Sequence, residues 1–167
     1  MDKKIAQLEA VLADETLAHE RLIEAMDRKL QALRTADHQK VFACCDEENR
    51  QVQRIGELEK QRLVLVAELT QIIAPSAAEP MRMVELADRL TEPARGRLLV
   101  RRQQLRDRVE QARKKAGVAR RAAEMLVQHM QGLIRVVGGA MTGIGLYGRT
   151  GAPPQAALAV STINTMA

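Results

Sequence analysis

The chain has no tryptophan, and Phe42 and Tyr147 are its only aromatic residues. Compact globular cores use aromatic rings to fill the wide space between layers. A chain of 167 residues without them needs an architecture in which apolar side chains meet along narrow seams, as they do between long helices. There are only two cysteines, Cys44 and Cys45. Adjacent residues on a helix point about 100° apart, which makes a bridge between them strained. Neither His19 nor His38 completes a zinc-ligand spacing with them. The reading is two small side chains on a buried face, with no metal and no cofactor. Long apolar runs are missing too. The stretch from Leu133 to Leu146 is broken by Arg135 and several glycines, so no segment of about 20 apolar residues could span a membrane. The first ten residues are charged and unlike a signal segment, and a cytoplasmic location is expected.

What the chain does have is periodicity. Leu98, Arg102, Leu105, Val109, Ala112, Ala116, Ala119, Ala123, Leu126, Met130, Leu133 and Val137 form one continuous row in alternating steps of four and three. Such a row keeps one helical face turned towards partner helices. A helix over 93–137 would be about 65 Å long. Its small residues Ala112, Ala116, Ala119 and Ala123 should lie where helices approach most closely.

A second row, Ile5, Leu8, Leu12, Glu15, His19, Leu22, Met26, Leu30 and Leu33, marks a helix from about Lys3 to Arg34. Glu15 and His19 lie four residues apart on that row and could meet as an ion pair. Thr35-Ala36-Asp37 interrupts the pattern, and Asp37 is suited to N-cap a new helix. The following helix, about His38–Ile73, should turn Val41, Cys45, Val52, Ile55, Leu58, Leu65, Leu69 and Ile72 inwards. Gly56, in its middle, suggests close approach of a neighbour. So short a break makes the two helices an antiparallel hairpin.

The expected fold is therefore all-α: an elongated antiparallel helical hairpin over 1–74, a proline-bounded linker with a short helix over 75–92, a long coiled-coil-like helix over 93–137, and a glycine-rich, flexible tail over 138–167. The glycine density from Gly138 onward predicts that helix ends there.

Charge is uneven. Between Arg95 and Arg121 there are eleven basic residues, opposed only by Asp107 and Glu110, while the whole chain carries +5. A basic helix can bind nucleic acid, but no aromatic residue interleaves it to stack on bases. It can equally pair with an acidic helix of the same chain, and Glu15, Glu20, Glu24, Asp46, Glu47 and Glu48 are on offer.

Gly143-Ile144-Gly145-Leu146-Tyr147-Gly148 matches a dinucleotide-binding glycine pattern, and Gly143–Thr150 matches a phosphate-loop pattern with Arg149 in place of lysine. Phosphate binding needs a strand before the loop and a helix after it. Here a helix precedes, and Pro153-Pro154 follows. Nucleotide binding is not expected. No nucleophile–base arrangement stands out either, so an enzyme is not expected.

Several stretches carry a resemblance: Glu15-x4-Glu20-Arg21-Leu22, Ala36-Asp37-His38, Leu58-Glu59-Lys60-Gln61-Arg62, and Leu126-x3-Met130-x2-Leu133-x3-Val137 leading to Tyr147-Gly148-x2-Gly151. In this order, over nearly the full length, the chain resembles the FlgN family of flagellar export chaperones. The resemblance implies a cytosolic chaperone that binds C-terminal helical segments of hook-filament junction proteins and prevents their premature assembly. Contact with flagellar export machinery components would be a further role, and self-association is left open. No small-molecule substrate is implied. The client-binding residues so implied are Leu126, Met130, Leu133, Ile134, Val137, Met141, Leu146 and Tyr147. The chain lacks asparagines between Ala116 and Ala123 and is basic, in which it departs from the family. Two alternatives stay open: a structural coiled-coil component of the flagellar export ATPase complex, and a basic helical adaptor for nucleic acid.

Overall fold

The computed structural model describes residues 1–141, which are entirely helical apart from short connections. Four helices follow in order: α1 (Asp2–Arg34), α2 (His38–Ile73), α3 (Met83–Asp88) and α4 (Ala94–Met141). The fold is all-α, as the periodicity predicts. The chain divides into two compact units, Met1–Ala123 and Glu124–Ala167.

In the first unit α1 and α2 form the hairpin. The turn closes with the Asp37 N–H donating to the Ala32 carbonyl at 3.0 Å and the Ala36 N–H to that of Leu33 at 3.3 Å. Ala36 takes the left-handed position such a helix ending requires, at φ 52°. The Asp37 carboxylate then accepts from the Lys40 N–H at 3.1 Å, the expected N-cap of α2. At the other end of the hairpin, the buried Thr70 hydroxyl donates to the Val66 carbonyl at 2.8 Å and accepts from the Met81 N–H at 3.0 Å. That bond ties the proline-containing link back onto α2. The Glu92 carboxylate caps the first turn of α4 by accepting from the Gly96 N–H at 3.1 Å, a favourable place for negative charge.

The core lies where four elements converge. Ile5 and Leu8 of α1, Val66 and Leu69 of α2, Leu86 and Ala87 of α3, and Leu98 and Leu105 of α4 belong to one buried cluster, with Leu12 and Leu90. Farther along α1 towards the hairpin turn, burial passes partly to smaller side chains, Ala18, Ala25 and Ala32, with Cys44 opposite on α2. Cys44 and Cys45 are both free thiols.

Helix α4 runs parallel to α1 in a fixed register. Arg97 donates to Glu9 at 3.0 Å, Arg108 to Glu20 at 2.8 Å, and Lys115 pairs with Asp27. Each pair is separated by 88 residues in sequence, so the two helices advance together without slippage. The basic segment is thus partly matched inside the chain. Of the acidic residues expected to do this, Glu20 does so. Glu15 goes to Arg62, Glu48 to Lys29 and Glu47 to Arg50.

Four expectations are corrected. On α4, Leu98, Leu105, Ala112 and Ala119 are buried, while Ala116 and Ala123 are exposed. As far as Ala119 every second member of the 3-4 row is buried; of those between, Arg102 and Val109 are half-buried and Ala116 is exposed. Replacing Ala112 with Leu should therefore overpack the seam between the Arg108 and Lys115 ion pairs and destabilise by about 1–3 kcal/mol. Ala116→Leu, facing outwards, should leave the urea midpoint within about 0.5 kcal/mol of the parent. Equal effects of the two substitutions would contradict this packing. On α2, Val52 and Ile72 are exposed and the buried row is Cys44, Leu58, Val66, Leu69 and Thr70. A Cβ added at Gly56 meets nothing within 4 Å, so no close neighbour calls for that glycine. Finally, α4 continues through Gly138 to Met141. Two glycines cost a helix only about 2 kcal/mol together, and Val136, Val137, Ala140 and Met141 around them do not interrupt it.

Candidate functional site

Two surfaces stand out, one in each unit. The first is a groove in the unit of residues 1–123, lined by Glu15, His19, Leu22 and Met26 of α1, Ile55, Glu59 and Arg62 of α2, and Arg102, Leu105, Arg106, Val109, Glu110, Ala112, Arg113 and Ala116 of α4. Its floor holds the two polar residues of the α1 row. They do not pair with each other. The Glu15 carboxylate approaches the Arg62 guanidinium at 3.2 Å, at an angle that makes an ionic contact and leaves both atoms without a directed hydrogen bond. His19 Nδ1 has no hydrogen-bond partner. The local spacing of Glu15 and His19 was readable; Arg62 as the partner was not, because it lies on another helix.

Burial pushes the Glu15 carboxyl above its ordinary value of 4.5; Arg62 opposes this and Glu59 adds to it. Burial pushes the His19 imidazole below 6.5, against the pull of Glu59. The cations Arg62, Arg102, Arg106 and Arg113 and the carboxylates Glu59 and Glu110 line the same groove. A histidine held low when folded binds protons more readily when unfolded. Its neutral form is accommodated fully above pH 6.5, and stability falls as the pH drops below that value. Glu15 acts in the opposite sense: its raised carboxyl favours the folded chain in acid, and that preference is lost as the pH climbs past 4.5. His19→Leu should remove the first effect alone. Urea midpoints at pH 7.5 and 5.5 should show the variant gaining on the parent at the lower pH. A difference that does not change with pH would mean His19 is not held neutral by the fold.

The second surface is the α4 segment in the unit that begins at Glu124. Residues 124–138 are exposed throughout. Leu126, Met130, Leu133, Ile134 and Val137 are exposed at 39, 51, 52, 67 and 56%, respectively. These are the five implied client-binding residues whose side chains fall within the described chain. The Met141 side chain, Leu146 and Tyr147 lie outside it, as do the glycine patterns of 143–150. The structure adds three residues that the row did not include: Met125, Val127 and Val136, also exposed. At about 100° per residue, the apolar side chains from Met125 to Val137 sweep an arc of roughly 200°. Glu124, Gln128, Gln131 and Arg135 occupy the opposite side. The extra residues could have been found by plotting every apolar side chain around the helix rather than following one seam.

Among the described residues, no group of three or more His, Cys, Asp or Glu side chains could hold a metal ion, and no helix is long and apolar enough to cross a membrane. An all-α scaffold with an uncovered apolar helix face is built for binding other protein segments. Residues 1–155 match the FlgN protein family, and the chain belongs to that family. Membership makes it a flagellar export chaperone of helical-bundle type. Comparison with curated proteins and with solved structures gives no match.

Proposed function

We propose that this FlgN-family chaperone acts in the cytoplasm, where it holds the C-terminal helical segments of hook-filament junction proteins and prevents their premature assembly. The client would lie against Leu126, Met130, Leu133, Ile134 and Val137, with Met141, Leu146 and Tyr147 completing the contact. The observation that carries this reading is the exposed apolar arc of residues 125–137. An amphipathic helix offers a matching face at the same 3-4 spacing. The methionines at 125 and 130 suit it to more than one client, because an unbranched thioether repacks readily. The chaperone needs no catalytic group and no cofactor for this work.

The nucleic-acid reading has less to stand on, since Arg97, Arg108 and Lys115 are committed to carboxylates of α1. The reading as a coiled-coil part of the export ATPase complex has no observation that favours it over a client-binding role. Isothermal titration of the full chain with a peptide spanning the C-terminal helix of a junction protein tests the proposal. Saturable binding should be seen, and deleting residues 124–167 should abolish it. Full-strength binding after the deletion would place the client elsewhere.

A further inference from the structure

The groove floored by Glu15 and His19 is separate from the surface assigned to the client and needs an explanation of its own. Its α4 wall presents Arg102, Val109 and Ala116, the alternate members of the 3-4 row, of which the first two are half-buried and Ala116 is exposed. A heptad pattern with one of its two rows only partly covered leaves room for a further helix. The floor contains His19 Nδ1, buried without a hydrogen-bond partner, beside Glu15 Oε2, which is held by its ionic contact with Arg62 at 3.2 Å. Buried polar groups are normally satisfied, and a side chain entering the groove from above would give His19 Nδ1 a partner. The charge along the α4 edge is mainly positive, three arginines to one carboxylate. Arg102 and Arg113 form no ion pair among the described residues, and the carboxylate beside them, Glu110, is engaged by Lys114 at 2.8 Å.

We infer that this groove is a docking site for an amphipathic helix of another protein, one that carries carboxylates along one flank. Its apolar face would seat on Leu22, Met26, Ile55 and Val109, and its acidic flank would face Arg102, Arg106 and Arg113. From Glu15 to Met26 the floor is about 16 Å long, three turns of a helix. Charge complementarity selects the occupant. The chain beyond Met141 contains no aspartate or glutamate, so it cannot supply the acidic flank. On a second copy the chain as a whole is positively charged, +5, and Glu9, Glu20 and Asp27 of α1 are already paired with α4, so an acidic helix of another protein is the better match. The inference stands whether or not residues 125–137 bind a client.

The three histidines make the test site-specific, because His19 lies in the groove and His129 on the exposed segment of α4. The full-length protein would be titrated, with NMR observation of its histidine rings, against two synthetic 21-residue helix-forming peptides. Both have Leu and Ala on the apolar face; one has Glu and the other Lys on the flanks. The Glu peptide should shift His19 saturably and leave His129 in place, and it should bind about tenfold more tightly than the Lys peptide. The variant R102E/R106E/R113E, with its helix content checked by circular dichroism, should reverse that preference. The inference is overturned by any of four results: no saturable shift at His19, a shift at His129 instead, equal affinity for the two peptides, or a preference that survives the charge reversal. A His19 resonance that moves on simple dilution would also overturn it, by showing that a second copy fills the groove.

Discussion

Replacing Leu98 with alanine is expected to cost about 2–5 kcal/mol of stability. Leu98 is 0% exposed and belongs to the cluster that gathers α1, α2, α3 and the start of α4. Truncation removes the transfer free energy of the buried methyl and methylene groups, and the cavity left behind cannot collapse easily. Its neighbours are the large, fully buried Leu8, Leu69 and Leu86, already held on separate helices. Nor can the surface ion pairs hold α4 in its place. Arg97–Glu9 and Arg108–Glu20 are partly exposed, and such pairs are worth about 0–1 kcal/mol each. Against a total stability of about 5–15 kcal/mol, the loss should lower the urea midpoint markedly. A cost below about 1 kcal/mol would mean that the four-element junction does not hold α4 as described. Leu126→Ala, a change of the same chemistry on an exposed part of the same helix, is the appropriate control and should cost little.

The contrast between Leu98 and Leu126 marks how far sequence reasoning reaches. Both belong to one uninterrupted apolar row, and the row rightly identifies a long helix and its face. It says nothing of how many neighbours that face has. Leu98 and Leu105 are buried, Ala116 is not, and Leu126 onward is exposed; only the packing of the other helices decides this. The hairpin break was legible because turn and capping chemistry are local: Asp37 sits three residues before the amide it caps. The 88-residue register between α1 and α4 was not legible, since any of several acidic residues could have met the basic helix until the packing fixed which. For the same reason the buried Glu15 was visible as a polar residue on an apolar row, while Arg62 as its partner was not. At the candidate client surface, Leu126, Met130, Leu133 and Val137 lie on the 3-4 row, and Ile134 was implied by the family resemblance alone. Met125, Val127 and Val136 were missed because a single seam samples only part of an arc that covers more than half of the helix.

If that arc is the client site, two substitutions at its middle should abolish function without touching the fold. Met130 and Leu133 lie three residues apart near the centre of the exposed arc. The double variant Met130→Glu/Leu133→Lys puts opposite charges at a spacing that supports a helix by a few tenths of a kcal/mol, so helix content and the denaturation midpoint should be unchanged. A docked client, however, would have to bury both charges against its own apolar face. Central interface positions commonly carry 2 kcal/mol or more each, so affinity for the C-terminal helix of a junction protein should fall by about 100-fold or more. Gln128→Ala and Arg135→Ala, on the polar side of the same segment, should change affinity by less than about threefold. Titration calorimetry of the three variants beside the parent decides the matter. Undiminished binding by the charged variant, with its helix intact, would remove residues 125–137 from the site. A loss of binding accompanied by a lowered denaturation midpoint would mean instead that these side chains support the fold.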